Sequence, residues 1–339
     1  MALAISENKS LSIAVTGANG HLGNVICRLL CKKGYRVRAL CRSHAESLEG
    51  LPIEIIHGDV LNKADLMQLM EGCDLVIHCA AIISIHGDPT GVVFKTNTEG
   101  PKNVLEIAKQ LGVHRIIHIS SVHAVTELPH TEPFDETRPY KQAADYAYDY
   151  AKAQGEQIML RNFADSSLWE GKPKIVVLRP SAIIGPFDFK PSEIGKALTE
   201  LAAGKIPALP EGGYDFVDVR DVANSVLSAM ERGRNGEVYL LTGKYFTMKE
   251  FAAVVAKVIG RRPVKWILPH RLLKALLPLI ACVAKITDSP PLFTIESLDA
   301  LKNGHPRMDN SKAARELGHV CRPLEESVRD FYLWRSSGW

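Results

Sequence analysis

Short apolar runs alternate with amphipathic stretches through the first half of the chain. Mostly apolar runs are typical of strands that a parallel sheet buries, and they occur at 11–16, 35–41, 53–57, 75–79, 115–120 and 175–178. Charged residues interrupt the second and third of these runs. Between them, apolar residues recur at helical spacing at 22–30, 65–70, 92–111 and 143–162. The alternation predicts an α/β fold in which helices cover both faces of a doubly wound parallel sheet.

The pattern becomes irregular after residue 180. Prolines and glycines cluster between 185 and 213, and the later elements are a strand near 238–241 and helices near 249–258, 271–284 and 324–334. Segments added beyond such a sheet usually build a substrate pocket above the carboxyl ends of its strands. We predict a first domain over 1–180, to which 215–242 return, and a smaller interleaved substrate-binding lobe over 181–339.

The first predicted strand ends in a glycine-rich turn, and a helical pattern follows it at once. Glycines at this spacing allow a sharp turn, close approach of the backbone to a pyrophosphate and packing of the helix on its strand. The free N–H groups of the helix N-terminus also favour phosphate. The sequence therefore predicts a Rossmann dinucleotide site, with cofactor contacts from Gly17, Asn19, Gly20, His21, Leu22 and Gly23.

Composition narrows the classes of function. The 339 residues carry a formal net charge of +3 and are 46% hydrophobic, which is ordinary for a globular protein and disfavours a nucleic-acid partner. The seven cysteines show no zinc-ligand spacing, so we expect no metal site and a reducing, cytoplasmic setting. The N-terminal segment lacks the features of a signal peptide.

The most apolar segment of the second half lies at 271–284. Its longest uncharged stretch, 275–284, is shorter than the ~20 residues that a membrane span needs, and Pro278 interrupts it. We expect no transmembrane span here and interpret the segment as the wall of an apolar pocket. Peripheral contact with a membrane surface is the alternative.

Tyr148 and Lys152 lie four residues apart in the predicted helix 143–162, so their side chains share one face. An ammonium group beside a phenol favours the phenolate, so we expect the pKa of this tyrosine to be lowered. Such a tyrosine can exchange a proton with a carbonyl or alcohol oxygen while a nicotinamide transfers hydride. Tyr146 and Tyr150 have no lysine four residues later.

Two serines, Ser120 and Ser121, stand at the carboxyl end of the fifth predicted strand, where catalytic groups gather in sheets of this type. A hydroxyl there can donate to a substrate oxygen on which charge develops. We interpret Ser120 as the residue that ends the strand and Ser121 as catalytic.

Motifs over nearly the whole chain resemble the extended short-chain dehydrogenases/reductases, a group that includes NAD-dependent epimerases and dehydratases. The motifs are the glycine turn, 58–60 (Gly-Asp-Val), 76–81 (Val-Ile-His-Cys-Ala-Ala), 97–100 (Asn-Thr-Glu-Gly), 119–121 (Ile-Ser-Ser), Tyr148 with Lys152, 178–180 (Leu-Arg-Pro) and 219–223 (Val-Arg-Asp-Val-Ala). The resemblance implies an enzyme with the catalytic residues Ser121, Tyr148, Lys152 and Asn97, the last in a structural and proton-relay role. It implies further cofactor contacts from Asp59 and Val60 near the adenine, from Lys152 on the nicotinamide ribose, and from Ala80, Ala81 and Pro180.

Within that family, the segments 266–273, 291–294 and 311–318 resemble the dihydroflavonol-reductase-like and 3β-hydroxysteroid-dehydrogenase-like branches. Members of these branches act on alcohols and ketones of lipophilic skeletons, so the resemblance implies a lipophilic small-molecule substrate. It also implies a homodimer formed through the helices at 92–111 and 143–162.

The end of the second predicted strand bears on the choice of nicotinamide. An acid at this position holds the ribose 2′-hydroxyl in NAD sites, whereas a guanidinium suits a 2′-phosphate. Here the first acid after the strand is Glu46, and Arg42 stands near the expected position with Arg38 and Ser43 close by. The sequence therefore favours NADP(H), with NAD(H) as the alternative.

The leading prediction is an NADP(H)-dependent oxidoreductase that reduces a ketone or aldehyde, or oxidises the alcohol. A nucleotide-sugar epimerase or dehydratase of the same fold would retain NAD and would need cations for a diphosphate, for which Arg220 and Arg307 are candidates. A non-catalytic dinucleotide-binding protein is the third alternative, and it would have no need of Ser121, Tyr148 and Lys152 together.

Overall fold

A computed structural model describes residues 11–43, 45–161, 173–286 and 293–338. Its main sheet contains β1 (Ser12–Thr16), β2 (Arg36–Cys41), β3 (Ile53–His57), β4 (Leu75–His78), β5 (Arg115–Ile119), β6 (Lys174–Pro180) and β10 (Val238–Leu241). The strand order is β10-β6-β5-β4-β1-β2-β3, and every pair is parallel. The predicted doubly wound α/β fold is confirmed, and all six strands predicted in the first half lie in this sheet.

Helices cover both faces of the main sheet. They are α1 (His21–Lys32), α2 (Lys63–Met70), α3 (Val92–Gln110), α4 (Ala147–Arg161) and α6 (Val219–Arg232). One apolar core lies between the sheet and α1 and α6, and a second lies between the sheet and α2, α3 and α4. Helix α4 begins four residues later than predicted, because residues 142–145 form a turn in which the Asp145 carboxylate accepts the Gln142 N–H at 2.7 Å.

The chain reverses its direction across the sheet between β1 and β4. Strand β1 lies between β2 and β4, so the first three strands extend toward one edge and the later ones toward the other. A crevice opens at such a reversal above the carboxyl ends of the strands, where sheets of this kind bind ligands. The glycine turn after β1 and Ser121 after β5 both lie at these ends.

The remaining elements form a smaller lobe. Strands β7 (Ala182–Ile184), β9 (Gly213–Asp218) and β11 (Lys244–Thr247) make one sheet, and β8 (Ala208–Pro210) pairs with β12 (Trp266–Leu268). The helices are α5 (Glu193–Ala203), α7 (Met248–Val258), α8 (His270–Ile286), α9 (Ile295–Asn303), α10 (Ser311–Leu317) and α11 (Leu324–Ser336). A third apolar core joins α5, α7 and α11 through Leu198, Phe251, Val255 and Phe331.

The sequence patterns did not predict the strands of the smaller lobe or helices α5, α6, α9 and α10. The strands are three to six residues long, which is too short for a period of two to emerge. Residues 162, 291 and 292, which belong to predicted segments, lie outside the described residues. We propose to keep the domain boundary at residue 180, with 215–242 returning to the first domain, and to add α10, which buries Ala313 and Leu317 in its core.

Candidate active site

The glycine turn after β1 allows backbone segments to approach closely at two points. Gly17 has a φ of +67°, and a Cβ there would lie 2.6 Å from the backbone nitrogen of Ala80. A Cβ on Gly23 would lie 2.2 Å from the carbonyl oxygen of Gly17. Only glycine fits either position, and the two residues together hold the N-terminus of α1 against the ends of β1 and β4.

The first turn of α1 is suited to bind an anion. Gly20 occupies the N-cap without a side-chain cap, and the first turn contains no acid. The side chain of His21 turns to the protein, with Nε2 3.0 Å from the carbonyl oxygen of Pro186. Leu22 is buried in the core, so its predicted cofactor contact falls to its backbone. An uncapped helix N-terminus of this kind fits the pyrophosphate of a dinucleotide.

Asp59 and Val60 follow β3 in a turn that hydrogen bonds hold in place. The Asp59 carboxylate accepts the Leu61 N–H at 2.9 Å, and the Val60 carbonyl accepts from Nδ2 of Asn103 at 3.1 Å. A Cβ on Gly100 of α3 would lie 3.1 Å from the Val60 side chain, so the helix packs tightly on the turn. The contact of both residues with an adenine stays a prediction.

The end of β2 carries two cations. Arg42 is exposed directly after the strand, and Lys190 from the segment between β7 and α5 donates to the Ser43 hydroxyl at 3.2 Å. Lys190 was not predicted from the sequence, because 147 positions separate it from Ser43. The expectation that Arg38 lies close to this site is wrong, because Arg38 is paired with Glu54 at 2.9 Å.

The structure brings Ser121, Tyr148 and Lys152 together at the carboxyl end of β5. Oγ of Ser121 accepts the His123 N–H at 3.1 Å. The Ser121 hydroxyl lies near enough to the Tyr148 side chain to influence its pKa. Lys152 lies one turn after Tyr148 on α4, is buried, and donates from Nζ to the Ile119 carbonyl at 2.9 Å. The spacing of the tyrosine and lysine therefore places both groups beside the same strand end.

Burial governs the pKa values of the tyrosine and the lysine. It raises the pKa of Tyr148 against the opposing influence of the Ser121 side chain, and the Asp149 carboxylate adds to the rise. It lowers the pKa of Lys152 to about 8, while Glu156 and then Cys79 act in the opposite direction. The expectation of a lowered tyrosine pKa is therefore wrong in this geometry, because burial outweighs any help from the lysine. Tyr148 keeps its proton at neutral pH.

Asn97 is buried in α3 and supports the segment after β4. Its Nδ2 donates to the Ile82 carbonyl at 2.8 Å, and its Oδ1 accepts the Ile82 N–H at 3.0 Å. The residue whose N–H would close the helical bond to the Asn97 carbonyl is Pro101, which has none. The side-chain bonds fit a structural role, and the proton-relay role of Asn97 stays a prediction.

A buried ion pair lies one turn beyond Lys152 on α4. Oε1 of Glu156 lies 2.6 Å from a terminal nitrogen of the Arg179 guanidinium, and the two side chains are at most 1% exposed. Glu156 also accepts from the Ser120 hydroxyl at 2.6 Å and from the Tyr140 hydroxyl at 2.8 Å. The Ser120 hydroxyl is engaged with the protein, which fits its interpretation as a structural residue.

A second polar group, missed by the sequence analysis, lies beside Tyr148. Nδ1 of His123 is 3.1 Å from Oδ1 of Asp149, and Nε2 is hydrogen-bonded to the Tyr214 hydroxyl. The His123 ring lies edge-on to the ring of Tyr148, with 6.0 Å between centroids. Burial lowers the pKa of His123, but the Asp149 and Glu127 carboxylates prevail, so the net shift is upward.

His123, Glu127 and Asp149 form, within the described residues, a group whose ligand atoms lie close enough to hold a metal ion. Nζ of Lys141 already lies 2.6 Å from Glu127 and 3.7 Å from Asp149. This ammonium neutralises much of the acidic charge, so we interpret the group as an ion-pair network. Its sequence signal was the proximity of His123 to Ser121 and of Asp149 to Tyr148.

The last predicted contacts lie at other strand ends of the crevice. The Ala80 N–H donates to Oγ1 of Thr16 at 3.3 Å. Shortly after β4, Ala80 is half-buried and Ala81 is exposed. Pro180 is the buried last residue of β6 and pairs in register with Leu241 of β10. Their contacts with a cofactor stay predictions.

The NAD dependent epimerase/dehydratase family matches residues 13–242. The chain belongs to this family. The sterol demethylase protein B of Methylococcus capsulatus is 30% identical over 332 residues, which cover 96% of this chain and 98% of that protein. A putative dihydroflavonol 4-reductase of Synechocystis is 31% identical over 333 residues, which cover 94% of this chain and 93% of that protein.

A solved structure adds a comparison of the fold. The UDP-glucuronic acid 4-epimerase of Bacillus cereus in complex with UDP-glucuronic acid and NAD is 21% identical, with a TM-score of 0.77 over 97% of this chain and 100% of that one. The protein is thus an extended short-chain dehydrogenase/reductase and an NAD(P)-dependent oxidoreductase, as the sequence analysis predicted. Among the described helices, none combines the length and apolarity that crossing a membrane requires.

Proposed function

We propose that this protein is an NADP(H)-dependent reductase of a ketone or aldehyde on a lipophilic small molecule, or the corresponding dehydrogenase. The observation that carries the proposal is the grouping of Ser121, Tyr148 and Lys152 at the end of β5, two strands from the glycine turn. A protein that only bound a dinucleotide would have no use for these three side chains beside the crevice.

The protein's own groups would supply the acid chemistry. Bound NADPH would deliver hydride to the carbonyl carbon. Ser121 and Tyr148 would both donate to the carbonyl oxygen, because their side chains already lie close to each other. Since Tyr148 keeps its proton at neutral pH, it would give that proton to the oxygen as negative charge develops there. The Lys152 ammonium would then stabilise the phenolate.

Two observations support a lipophilic substrate. The similar proteins of Methylococcus and Synechocystis are named for sterol demethylation and dihydroflavonol reduction. Helix α8, the predicted pocket wall, packs on α9 and buries Leu273. An apolar wall excludes water from a reacting carbonyl and binds a lipophilic skeleton without hydrogen bonds.

The preference for NADP(H) rests on the end of β2. Arg42, Ser43 and Lys190 offer two cations and a hydroxyl at the position where the ribose 2′-substituent of a dinucleotide lies in this fold. A 2′-phosphate would pair with these cations, whereas a 2′-hydroxyl would leave them without an anionic partner.

A nucleotide-sugar enzyme would need cations that bind a diphosphate, and only one of the two candidates remains free to do so in the described residues. Arg220 is held by Asp218 at 2.8 Å and by Asp330, so its charge is already compensated. Arg307 is exposed at the edge of a groove that Thr131 and Pro133 also line. A single exposed arginine is a weak receptor for a diphosphate, and the oxidoreductase is therefore the better-supported proposal.

Nucleotide analysis tests the proposal most directly. Mass spectrometry of the nucleotide released on denaturation, together with titration of NADPH and NADH, is expected to show an exchangeable cofactor. In steady-state assays with hydrophobic ketones and aldehydes, kcat/KM is expected to be at least about tenfold higher with NADPH than with NADH. Equal kcat/KM values would refute the cofactor preference, and NAD retained through purification would favour the epimerase.

The proposal extends to assembly and compartment. Helices α3 and α4 pack on each other, and Phe94 and Val92 of α3 are about two-fifths exposed, with Phe94 stacked on Tyr150 at 5.6 Å. This face supports a homodimer through both helices, which light scattering would detect as twice the chain mass. The free thiols of the described cysteines support a reducing, cytoplasmic setting.

A further inference from the structure

Residues 251–287 contain no acid. Seven basic residues lie in this stretch: Lys257, Arg261, Arg262, Lys265, Arg271, Lys274 and Lys285. The whole chain has a formal charge of +3, so the rest of the protein carries +3 − 7 = −4. Charge concentrated in this way on one segment indicates an anionic partner.

Four of these cations remain uncompensated at the surface. Lys257 is paired with Glu325 at 2.7 Å and Lys274 with Asp299 at 2.9 Å. The exposed side chains that form no ion pair within the described part of the chain are those of Arg261, Arg262, Lys265 and Arg271. They lie on the loop before β12, next to β12, and on the first turn of α8.

Large apolar side chains lie exposed among these cations. Trp266 of β12 is 73% exposed and Leu272 of α8 is 46% exposed. Arg261 and Arg262 also border a groove of about 320 Å³ between α5 and α7, whose apolar lining includes Leu201, Ile206, Val255 and Ile259. A polyanion such as a nucleic acid would use the charges and leave the apolar surface in water. A bilayer interface satisfies both, because tryptophan and arginine are favoured there.

We propose that Arg261, Arg262, Lys265, Trp266, Arg271 and Leu272, here called the basic patch, dock this protein on the surface of a bilayer that contains anionic lipids. The cations attract the headgroups electrostatically, and Trp266 and Leu272 enter the boundary between headgroups and acyl chains. The arrangement gives peripheral contact, with the groove placed to accept the upper part of an acyl chain.

The basic patch is tied to the proposed active site through α8. His270 and Lys274 each lie 2.9 Å from Asp299, which also accepts the Tyr146 hydroxyl at 2.6 Å. Tyr146 lies two residues before Tyr148. Docking through the patch would therefore place the proposed site close to a membrane, where lipophilic molecules concentrate. The docking itself does not depend on the proposed function.

Vesicle sedimentation with the purified full-length protein tests the docking. The probes are phosphatidylcholine vesicles with and without about one-third phosphatidylglycerol at low and physiological salt. Each surface cation contributes about fivefold to affinity for an anionic bilayer, so Arg261→Glu with Arg262→Glu is expected to weaken binding by roughly 25-fold or more. Trp266→Ala is expected to weaken binding at both salt concentrations.

Matched controls lie elsewhere on the surface. Lys32→Glu with Lys33→Glu makes the same charge change at exposed positions on and just after the end of α1, and Leu333→Ala removes an apolar side chain that is 62% exposed. Both are expected to leave binding within about twofold. The proposal is overturned if wild-type protein does not sediment with anionic vesicles, if the Lys32/Lys33 variant loses as much binding as the patch variant, or if Trp266→Ala binds normally while heparin competes fully. Wild-type protein that sediments with anionic vesicles but shows no reductase activity would contradict the proposed function and leave the docking proposal intact.

Discussion

Gly155 of α4 lies directly against the backbone of Asn97 in α3: an added Cβ would sit 2.2 Å from the Asn97 carbonyl oxygen. No side chain larger than hydrogen fits this distance. This contact lies between Lys152 and Glu156 on α4. The close approach of the two helices therefore sets how far the side chains of Lys152 and Glu156 extend toward the sheet. The contact links the two helices that carry three of the four predicted catalytic residues.

Gly155→Ala is expected to destabilise the protein by about 1–3 kcal/mol, because the new methyl group forces α4 away from α3. This cost outweighs the gain of up to about 1 kcal/mol that alanine brings to a helix interior. Urea denaturation gives the free energy of unfolding directly. Gln154→Ala, one residue earlier on the same helix, is the control and is expected to change stability by less than about 0.5 kcal/mol. Equal effects of both substitutions would show that the close approach is not required.

Tyr148→Phe is expected to lower kcat by about 10²–10⁴-fold, because it removes the proton donor and leaves the ring in place. The dissociation constant for NADPH is expected to stay within about twofold of wild type. The matched control is Tyr150→Phe on the same helix, whose ring stacks on Phe94. Substantial turnover in Tyr148→Phe would assign the acid to another group, and His123 with Tyr214 would be the first to test.

Arg42→Ala and Lys190→Ala are each expected to lower kcat/KM for NADPH by roughly 10- to 150-fold and to leave the value for NADH nearly unchanged. The reason is that a charge-assisted bond to a phosphate contributes about 1.5–3 kcal/mol. Arg38→Ala, on β2 just before Arg42 but paired with Glu54, serves as the control. An equal loss with both nucleotides would show that these cations bind the shared pyrophosphate and not a 2′-phosphate.

The fold was predictable where the sequence carries a long repeating pattern. Five of the six strands of the first half are largely buried and its four helices bury one face, so their apolar pattern survives in the sequence. The edge strand β3 buries only Ile56. The short strands of the smaller lobe have no such period, and helix α4 begins late because the Asp145 carboxylate favours a turn over a helical start.

The same distinction between local and long-range features applies to the residues of the candidate site. Tyr148, Lys152 and the three glycines could be predicted from the sequence, because their chemistry depends on local spacing. Lys190 and Tyr214 could not, since each reaches its partner across 147 or 91 positions of sequence. The pKa of Tyr148 was predicted in the wrong direction because local spacing shows the neighbouring lysine and not the desolvation by the folded chain.

The ion pair between His123 and Asp149 is expected to make stability pH-dependent. The pKa of His123 is raised above 6.5, so its contribution is complete below pH 6.5 and is lost as the pH rises through the folded value. The pKa of Asp149 is lowered, so its contribution is lost as the pH falls below about 3.8. The free energy by which wild type exceeds His123→Asn should therefore be largest between these limits and smaller at pH 9. His114→Asn, at an exposed position, is the matched control. A difference between wild type and His123→Asn that stays constant with pH would refute the ion pair.

Glu156→Gln tests how the buried ion pair supports the catalytic lysine. The substitution keeps the shape of the side chain but leaves the Arg179 guanidinium buried without its counter-charge, which is expected to cost about 3–5 kcal/mol. It also removes the largest influence that opposes the lowering of the Lys152 pKa by burial. If the ammonium form of Lys152 is the active one, activity falls as the pH rises through about 8, and this decline should move to lower pH in the variant.

Two further variants separate the parts of this prediction. Glu193→Gln breaks an exposed pair with Lys196 and is expected to cost less than about 1 kcal/mol, so it controls for the loss of a carboxylate as such. Ser120→Ala removes one hydrogen bond to Glu156 and keeps the ion pair, which gives a folded protein to measure if Glu156→Gln is too unstable. A pH profile that stays unchanged in a folded Glu156→Gln enzyme would show that the carboxylate acts on the fold alone. If the pH profile of Glu156→Gln is shifted but its free energy of unfolding at acidic pH equals that of wild type, Glu156 acts on Lys152 more strongly than on Arg179.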